Sequence, residues 1–277
     1  MKWEDIKNQK PAVFKRLTGV SKETFIVMSS EANRLAPPSI HKIQGAKPGP
    51  KPKLCIEDKL LMMLMYYREY RTFLHISSDY GISETQCWRI ITSLEQLLIK
   101  SKLFHLPGKK VLQQANSFEI VLVDVAESPI ERPKKKQQKY YSGKKKKHTL
   151  KSQIVVDKIS KKVICVAQSE GRKHDYRLFK ESKTYIHHTV KAQVDTGYQG
   201  LQKKHLNTEI PKKRSKKNPL TELDKKENQR ISSSRVTVEN VIRSIKIFRI
   251  VAEKYRNRRK RFTLRLNFIA GIYNYQL

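Results

Sequence analysis

Three carboxylates in the second half of the chain have the types and positions needed for metal-dependent chemistry. Asp124 follows the apolar run 120–123, at the predicted end of a central strand. Asp195 follows a shorter strand over 190–194, and Glu239 lies in a segment with helical periodicity. Carboxylates at the ends of adjacent strands, joined by a third from a helix beside them, can hold two Mg²⁺ ions. Two ions about 4 Å apart stabilise both the attacking and the leaving oxygen of a phosphoryl displacement.

Each of these acids also has a purely structural explanation. Asp124 could cap a turn, and Asp195 could serve the tight turn that follows it. Glu239 could pair with Arg235 or Arg243 at helical spacing, which is a common and weak interaction. For any one acid taken alone, the structural explanation is the simpler one. Together, three acids at the ends of suitable elements in a strongly basic chain favour a metal site that holds two Mg²⁺ or Mn²⁺ ions.

Two cations share the predicted helix of Glu239. Arg235 lies four residues before it and Lys246 seven residues after it. At about 100° per residue, these separations place the three side chains on one stripe of the helix. Apolar residues between them can pack on a sheet and turn that stripe toward the metal site. Arg235 and Lys246 are therefore predicted to hold phosphates. Asp175, which begins a short predicted helix, fits the simpler role of a first-turn acid.

The overall charge indicates an anionic partner. The 277 residues include 59 Lys and Arg against 25 Asp and Glu, a net charge of +34. A single basic run is usually a solvated face, but three of them, over 132–151, 203–217 and 254–265, fit a phosphate-lined groove. Lysines dominate the first two runs, so the contacts of these runs are predicted mostly to position a nucleic-acid backbone and not to read bases. The residues singled out in the first run are Lys144, Lys145, Lys146 and Lys147.

The same sequence excludes several functional classes. The longest uninterrupted apolar stretch is residues 60–67, which is too short to cross a bilayer, and no apolar segment follows the N-terminus. Neither a membrane span nor a secretory signal is therefore predicted. The three cysteines are widely spaced, which argues against a disulfide scaffold or a cysteine-rich zinc site and fits a reducing cytosol. The sequence also lacks a nucleotide-binding P-loop.

The first part of the chain contains a candidate helix-turn-helix. Helical spacing covers residues 56–68 and 72–98, with a break at Gly81, where glycine permits the positive φ of a tight turn. Ser83 is a suitable N-cap for the following helix. An ordinary helical hairpin explains this pattern about equally well. In a recognition helix, the outward side chains that would meet base edges are Glu84, Thr85, Gln86 and Arg89.

The pattern of elements divides the chain into two predicted domains. Residues 1–110 read as helical, and a loop at 45–53, rich in Pro, Gly and Lys, separates a short N-terminal arm from the main helices. That loop is either a linker or a basic arm along nucleic acid. Residues 111–277 contain predicted strands first and helices late, which is typical of a mixed α/β fold. The strands are expected at 118–125, 148–156, 162–168 and 190–194, and the helices at 175–181, 220–230, 236–248 and 262–275.

Several short motifs also occur in a specific order. They are the helix-turn-helix, Val123-Asp124, the lysine-rich 141–145 ahead of 148–151, His174-Asp175, residues 195–200, and Arg235, Glu239 and Lys246 at R-x₃-E-x₆-K spacing. On these motifs the chain, from about Lys53 to Leu277, resembles the DDE-superfamily transposases of bacterial insertion sequences. The resemblance is to the branch related to insertion sequence 5 and the Harbinger-like elements. That family has a tyrosine three residues before the arginine, where this chain has Ser232.

The resemblance implies an architecture and a set of site residues. A ribonuclease-H-like catalytic domain would cover 111–277, and a helix-turn-helix DNA-binding domain would precede it over 1–110. Asp124, Asp195 and Glu239 would be the catalytic residues and the metal ligands. The implied activity is transposition, in which DNA is cut at the ends of an element and joined to target DNA.

The resemblance also implies partners and a location. The expected partner is double-stranded DNA, both as the terminal inverted repeats of the element and as the target. A homo-oligomer is expected on that DNA, in the bacterial cytoplasm at the nucleoid and without a membrane. Two alternatives stay open at the level of sequence. One is a non-catalytic or decayed helix-turn-helix binder, and the other is a metal-dependent nuclease that never joins strands.

Overall fold

A computed structural model of the chain describes residues 1–36, 54–214 and 219–277. The loop predicted at 45–53 and part of the second basic run lie outside these residues. The chain divides into two compact units, of which the first is Met1–His105 with Ile247–Ile250 and Gln276, and the second is Leu106–Lys246 with Val251–Tyr275 and Leu277. The predicted order of a helical part followed by a mixed α/β part is confirmed.

The first unit is built from helices. They are α1 (Trp3–Ile6), α2 (Pro11–Thr18), α3 (Lys22–Leu35), α4 (Ile56–Arg68), α5 (Phe73–Tyr80) and α6 (Glu84–Lys100). The prediction of a short N-terminal arm is wrong, because α1 to α3 fold around the packed rings of Trp3, Phe14 and Phe25. The first two of these helices have only four and eight residues, which is too short for a clear helical period in the sequence.

Helix α4 forms the centre of this unit. It contacts α2, α3, α5 and α6, so it is covered on several sides. Every residue from Leu60 to Tyr67 is buried as a result. The long apolar run of the sequence is therefore a core helix of a helical unit, which agrees with its being too short for a membrane span.

The second unit is built on a mixed sheet. Its strands are β1 (Ile120–Pro129), β2 (Tyr141–Ser142), β3 (Lys147–Asp157), β4 (Val163–Glu170), β5 (Lys191–Val194) and β6 (Thr208–Glu209). Strand β3 pairs antiparallel with β1, β2 and β4, whereas β5 runs parallel to β1 and β6. The two-residue strands β2 and β6 escape prediction because they are too short to show an alternating pattern.

Further helices follow in the rest of the chain. They are α7 (Gln137–Tyr140), α8 (Asp175–Glu181), α9 (Glu222–Lys246), α10 (Arg249–Ala252) and α11 (Lys260–Tyr275). Of these, α7, α8, α9 and α11 contact this sheet. The prediction of two helices over 220–230 and 236–248 is wrong, because α9 is continuous. Ile231 is buried together with Val238, Val241 and Ile245, so one apolar stripe runs through the serines at 232–234 that interrupt the sequence pattern. Helix α9 packs against β1 and β5, and this contact carries its polar stripe to those strands.

Candidate functional site

Asp124 and Asp195 lie at the point where β1 and β5 stop pairing. The last pair of their parallel register is Val123 with Val194, so the next residue of each segment is an aspartate. Strand β5 ends at Val194, as predicted. The prediction that Asp124 ends its strand is wrong, because β1 continues to Pro129 through its pairing with β3. The two carboxylates are nonetheless brought together by the sheet itself, which holds their backbones in fixed register.

Helix α9 brings a cation and a third acid to the same place. The Nη1 atom of Arg235 lies 3.4 Å from Oδ1 of Asp195. Its Nη2 atom lies 3.7 Å from Oδ1 of Asp124 and 3.9 Å from Oε1 of Glu239. One guanidinium therefore contacts all three predicted acids. The side chains of Arg235 and Asp124 are only 20% and 16% exposed, whereas that of Glu239 is 57% exposed.

The charges of this cluster do not balance. Burial raises the pKa of the Asp124 carboxyl, and the positive charge of Arg235 opposes that rise. Three carboxylates against one guanidinium leave an excess of negative charge within a basic protein. Carboxylate oxygens are the hard donors that Mg²⁺ and Mn²⁺ prefer, so this donor set fits a divalent ion. Across residues 1–36, 54–214 and 219–277, no three acidic, His or Cys side chains are close enough to hold an ion as they stand. Arg235 stands between the acids.

Lys246 is the last residue of α9, and it contacts β1 farther along from Asp124. Its Nζ donates a hydrogen bond of 3.3 Å to the backbone oxygen of Glu127, three residues beyond Asp124 on β1. Burial lowers the pKa of Lys246, and the nearby Lys145 lowers it further. The polar stripe of α9 predicted from the sequence therefore runs along β1. Arg235 contacts the three acids, and Lys246 contacts the backbone of β1 at Glu127.

The turn after Asp195 contains residues that sequence reasoning missed. Tyr198 is fully buried, and its hydroxyl lies 3.4 Å from Oε1 of Gln153. Burial raises the pKa of Tyr198 far above its usual value, and Asp175 is the largest charged contributor to that rise.

Asp175 begins α8 as predicted, but its carboxylate also pairs with Lys151 of β3 at 2.8 Å. The available signal was the position of Lys151 inside a predicted strand, where a charged side chain needs a partner.

The four lysines chosen from the sequence lie on the hairpin between β2 and β3. Lys147 begins β3 and the other three form the turn, and all four are exposed. A concave surface next to this hairpin is lined by Arg132, Tyr141, His148 and Arg172, among others. Exposed cations around an aromatic ring are suited to contact with a phosphate backbone and its bases.

The helix-turn-helix candidate has the local geometry predicted for it. Gly81 ends α5 with φ +63°, and Ser83 caps α6 by accepting a hydrogen bond from the backbone N–H of Gln86. Cys87, Ile91 and Leu94 of α6 are buried. The predicted recognition residues are all exposed, and they are Glu84, Thr85, Gln86 and Arg89. Trp88 on the same helix is also exposed, which the sequence reasoning did not anticipate.

Within the part of the chain that the structure describes, no helix is both long enough and apolar enough to cross a bilayer.

Known proteins resemble both parts of the chain. Residues 123–274 match the family described as DDE superfamily endonuclease, and residues 52–102 match the one described as helix-turn-helix of DDE superfamily endonuclease. The chain is also 45% identical, over 278 aligned positions, to the probable transposase for insertion sequence element IS702 of Microchaete diplosiphon. That alignment covers 100% of this chain and 99% of the relative. No solved structure matches the chain significantly.

Proposed function

This chain belongs to the DDE superfamily endonucleases, and from that premise we propose that Asp124, Asp195 and Glu239 are its catalytic triad. The protein is a transposase of an insertion sequence, with an endonuclease part and a helix-turn-helix. DNA strand cleavage and strand transfer are the reactions that this family membership implies. The observation that supports the triad most directly is the contact of one guanidinium, that of Arg235, with all three acids.

The family uses divalent metal, and the three carboxylates are the residues that would hold it. We propose Mg²⁺ or Mn²⁺, bound as two ions. When bound, such ions activate the attacking oxygen and stabilise the leaving one. Asp124 and Asp195 are suited to a precise arrangement because both follow the last residue pair between β1 and β5. Glu239 is the more adaptable ligand, since its side chain is mostly exposed on a helix.

The cations of the site act on the DNA. Arg235 would hold a phosphate of the strand that is cut, where a fixed positive charge both orients the ester and stabilises the charge that develops on it. Lys246 would contact a neighbouring phosphate from its place beside β1. Lys144 to Lys147 would bind the backbone without reading sequence. Glu84, Thr85, Gln86 and Arg89 would recognise the terminal inverted repeats from the N-terminal turn of α6.

Four further proposals concern architecture and assembly. The antiparallel and parallel pairings around β1 support a ribonuclease-H-like sheet for the catalytic part. The domain division is proposed at 1–110 and 111–277. A homo-oligomer on DNA is proposed because two element ends have to be cut and joined to one target. A protein with these DNA substrates would act at the nucleoid of the bacterial cytoplasm.

A cleavage assay tests the proposed triad. Asp124→Asn, Asp195→Asn and Glu239→Gln should each abolish Mg²⁺-dependent cleavage of DNA that carries element ends, while DNA binding is retained. The matched control is Glu119→Gln, which neutralises an exposed carboxylate one residue before β1 and should cleave normally. Near-normal cleavage by the Asp195 variant would remove that residue from the triad. Products joined to target DNA distinguish transposition from hydrolysis alone.

A further inference from the structure

A mostly shielded lysine connects β3 to the beginning of α8. The Nζ of Lys151 donates hydrogen bonds of 2.8 Å both to Oδ1 of Asp175 and to the backbone oxygen of Lys173. The side chains of Lys151 and Asp175 are 13% and 24% exposed, so this pair is much better shielded than the surface ion pairs of α8. Shielded ion pairs with additional hydrogen bonds hold a defined geometry, whereas exposed pairs contribute little.

The second oxygen of Asp175 lies against the turn that follows Asp195. A methyl group added at Gly197 would come within 2.6 Å of Oδ2 of Asp175, a distance that real side chains do not tolerate. The next residue of α8 repeats the contact, because the ring of Tyr176 would lie 3.1 Å from a methyl group at Gly200. The N-terminal end of α8 therefore lies directly on the turn.

The same turn also holds the backbone of Asp195 in place. The N–H of Tyr198 donates a 2.9 Å hydrogen bond to the backbone oxygen of Asp195. The ring of Tyr198 is buried edge-on against Phe179 of α8, with 6.1 Å between ring centres. A chain of direct contacts thus runs from Lys151 through Asp175 and Gly197 to Asp195.

We propose that Lys151 and Asp175 are a positioning pair for Asp195, an inference that rests on the proposed role of Asp195 as a metal ligand. Lys151 holds the carboxylate of Asp175 and the backbone of Lys173, and together they fix the end of α8 on the turn. The turn then holds the Asp195 carboxylate beside Asp124. Because the carboxylate of Asp175 is paired with Lys151, Asp175 acts by fixing this geometry and does not itself hold metal. Partners that orient metal ligands typically change metal affinity by about 10- to 100-fold when they are removed.

The test compares variants of both residues in the full-length protein. Lys151→Ala and Asp175→Ala should each weaken Mn²⁺ binding by DNA-free protein, measured by calorimetry, by about 10-fold or more. Both should also slow single-turnover cleavage of end-containing DNA. The double variant should lose no more Mn²⁺ affinity than the single variant with the larger loss, because both changes break the same connection. Asp175→Asn retains an oxygen that can accept from Lys151 and should recover most of the lost Mn²⁺ affinity.

A matched control comes from the same helix. Glu181→Ala also removes a carboxylate from α8, but Glu181 pairs with Lys173 and Arg177 and not with the turn. It should bind Mn²⁺ like the wild type. A steric variant gives independent evidence: Gly197→Ala should weaken Mn²⁺ binding in the wild-type background, and it should add little to the defect of Asp175→Ala.

Three results would overturn the proposal. The first is normal Mn²⁺ binding in both alanine variants. The second is additive losses in the double variant, which would mean independent roles. The third is a normal Lys151→Ala together with an inactive Asp175→Asn, which would make Asp175 a metal ligand. Failure of the proposed triad would look different, because Asp195→Asn would then bind Mn²⁺ and cleave normally whatever the Lys151 variants do.

Discussion

Removing the guanidinium of Arg235 should destabilise the second unit in the absence of divalent metal. Arg235 is the cation that contacts Asp124, Asp195 and Glu239, at 3.4 to 3.9 Å. Asp124 is the least exposed of these acids, and burial already raises the pKa of its carboxyl. In Arg235→Ala, three carboxylates would face one another without the positive charge that now separates them.

The size of the effect follows from the burial of the partners. Losing one partner of a fully buried ion pair costs about 3–5 kcal/mol, because a buried charge is left without compensation. An exposed pair contributes only about 0–1 kcal/mol. Arg235 and Asp124 are 20% and 16% exposed, so we expect a loss between these limits, about 2 kcal/mol. A difference of about 2 kcal/mol corresponds to roughly a 30-fold change in an opening equilibrium.

Hydrogen exchange measures this loss at the site. With a chelator present, amides of β1 and β5 should exchange roughly 30-fold faster in Arg235→Ala than in the wild type. The matched control is Arg230→Ala on the same helix. Arg230 makes shorter ion pairs, at 2.7 Å, but is 47% exposed, so its removal should change exchange little.

A double variant tests whether the uncompensated charge of Asp124 causes the faster exchange in Arg235→Ala. Adding Asp124→Asn to Arg235→Ala should slow the exchange again, because the uncompensated buried charge is then gone. Mg²⁺ or Mn²⁺ should also slow it, since a bound cation replaces the missing one. Exchange within twofold of the wild type in Arg235→Ala, with the chelator present, would refute the claim that Arg235 stabilises the acid cluster.

Three further predictions concern other parts of the molecule. Arg89→Ala should reduce the preference for element ends over scrambled DNA by roughly 1–3 kcal/mol in competition binding, and equal losses on both DNAs would remove Arg89 from the recognition surface. Gly19→Ala should destabilise the first unit by about 1–3 kcal/mol, because Gly19 has φ +84° and an added methyl would meet the Phe248 ring at 2.7 Å. Urea unfolding followed by tryptophan fluorescence measures this loss, since both tryptophans, Trp3 and Trp88, lie in that unit. Iodoacetamide should label the exposed Cys55 well before the two buried cysteines in the native protein. Burial raises the pKa of Cys87 to about 11 and that of Cys165 to about 12, so little reactive thiolate forms at either. Equal labelling of the three cysteines, measured by mass spectrometry, would contradict the burial of these two.

Much of the local structure could be predicted because its causes are local. The turn at Gly81 and the cap at Ser83 depend on residues within one or two turns of helix, so their types are visible in the sequence. The same holds for β5, where apolar residues alternate at Val190, Ala192 and Val194 and the strand ends just before Asp195. A short N-terminal arm was predicted in place of α1 and α2, because such short helices are held by ring packing between segments and not by their own periodicity.

Strand and helix ends were predicted less well where a tertiary neighbour decides them. Strand β1 continues past Asp124 only because β3 pairs with it as far as Pro129. Helix α9 continues through three serines because Ile231 is buried and the stripe of Val238 and Val241 continues beyond them. Neither the pairing with β3 nor the burial of Ile231 can be read from the local pattern. That pattern reports the preference of a segment and not the tertiary contacts that override it.

The sequence by itself determined the chemistry available to this protein: an excess of 34 positive charges, three well-placed acids, and an arginine and a lysine at fixed spacing from Glu239 on one helix. These depend on residue type and on helical geometry, which are properties of the chain alone. Only the tertiary structure decided which groups meet. Asp124 and Asp195 are 71 positions apart, and the pairing of Val123 with Val194 sets their proximity. The approach of Arg235 to both, and of Lys151 to Asp175, depends in the same way on how helices pack on strands, because contacts between distant segments follow from register and packing and leave no periodic trace in the sequence.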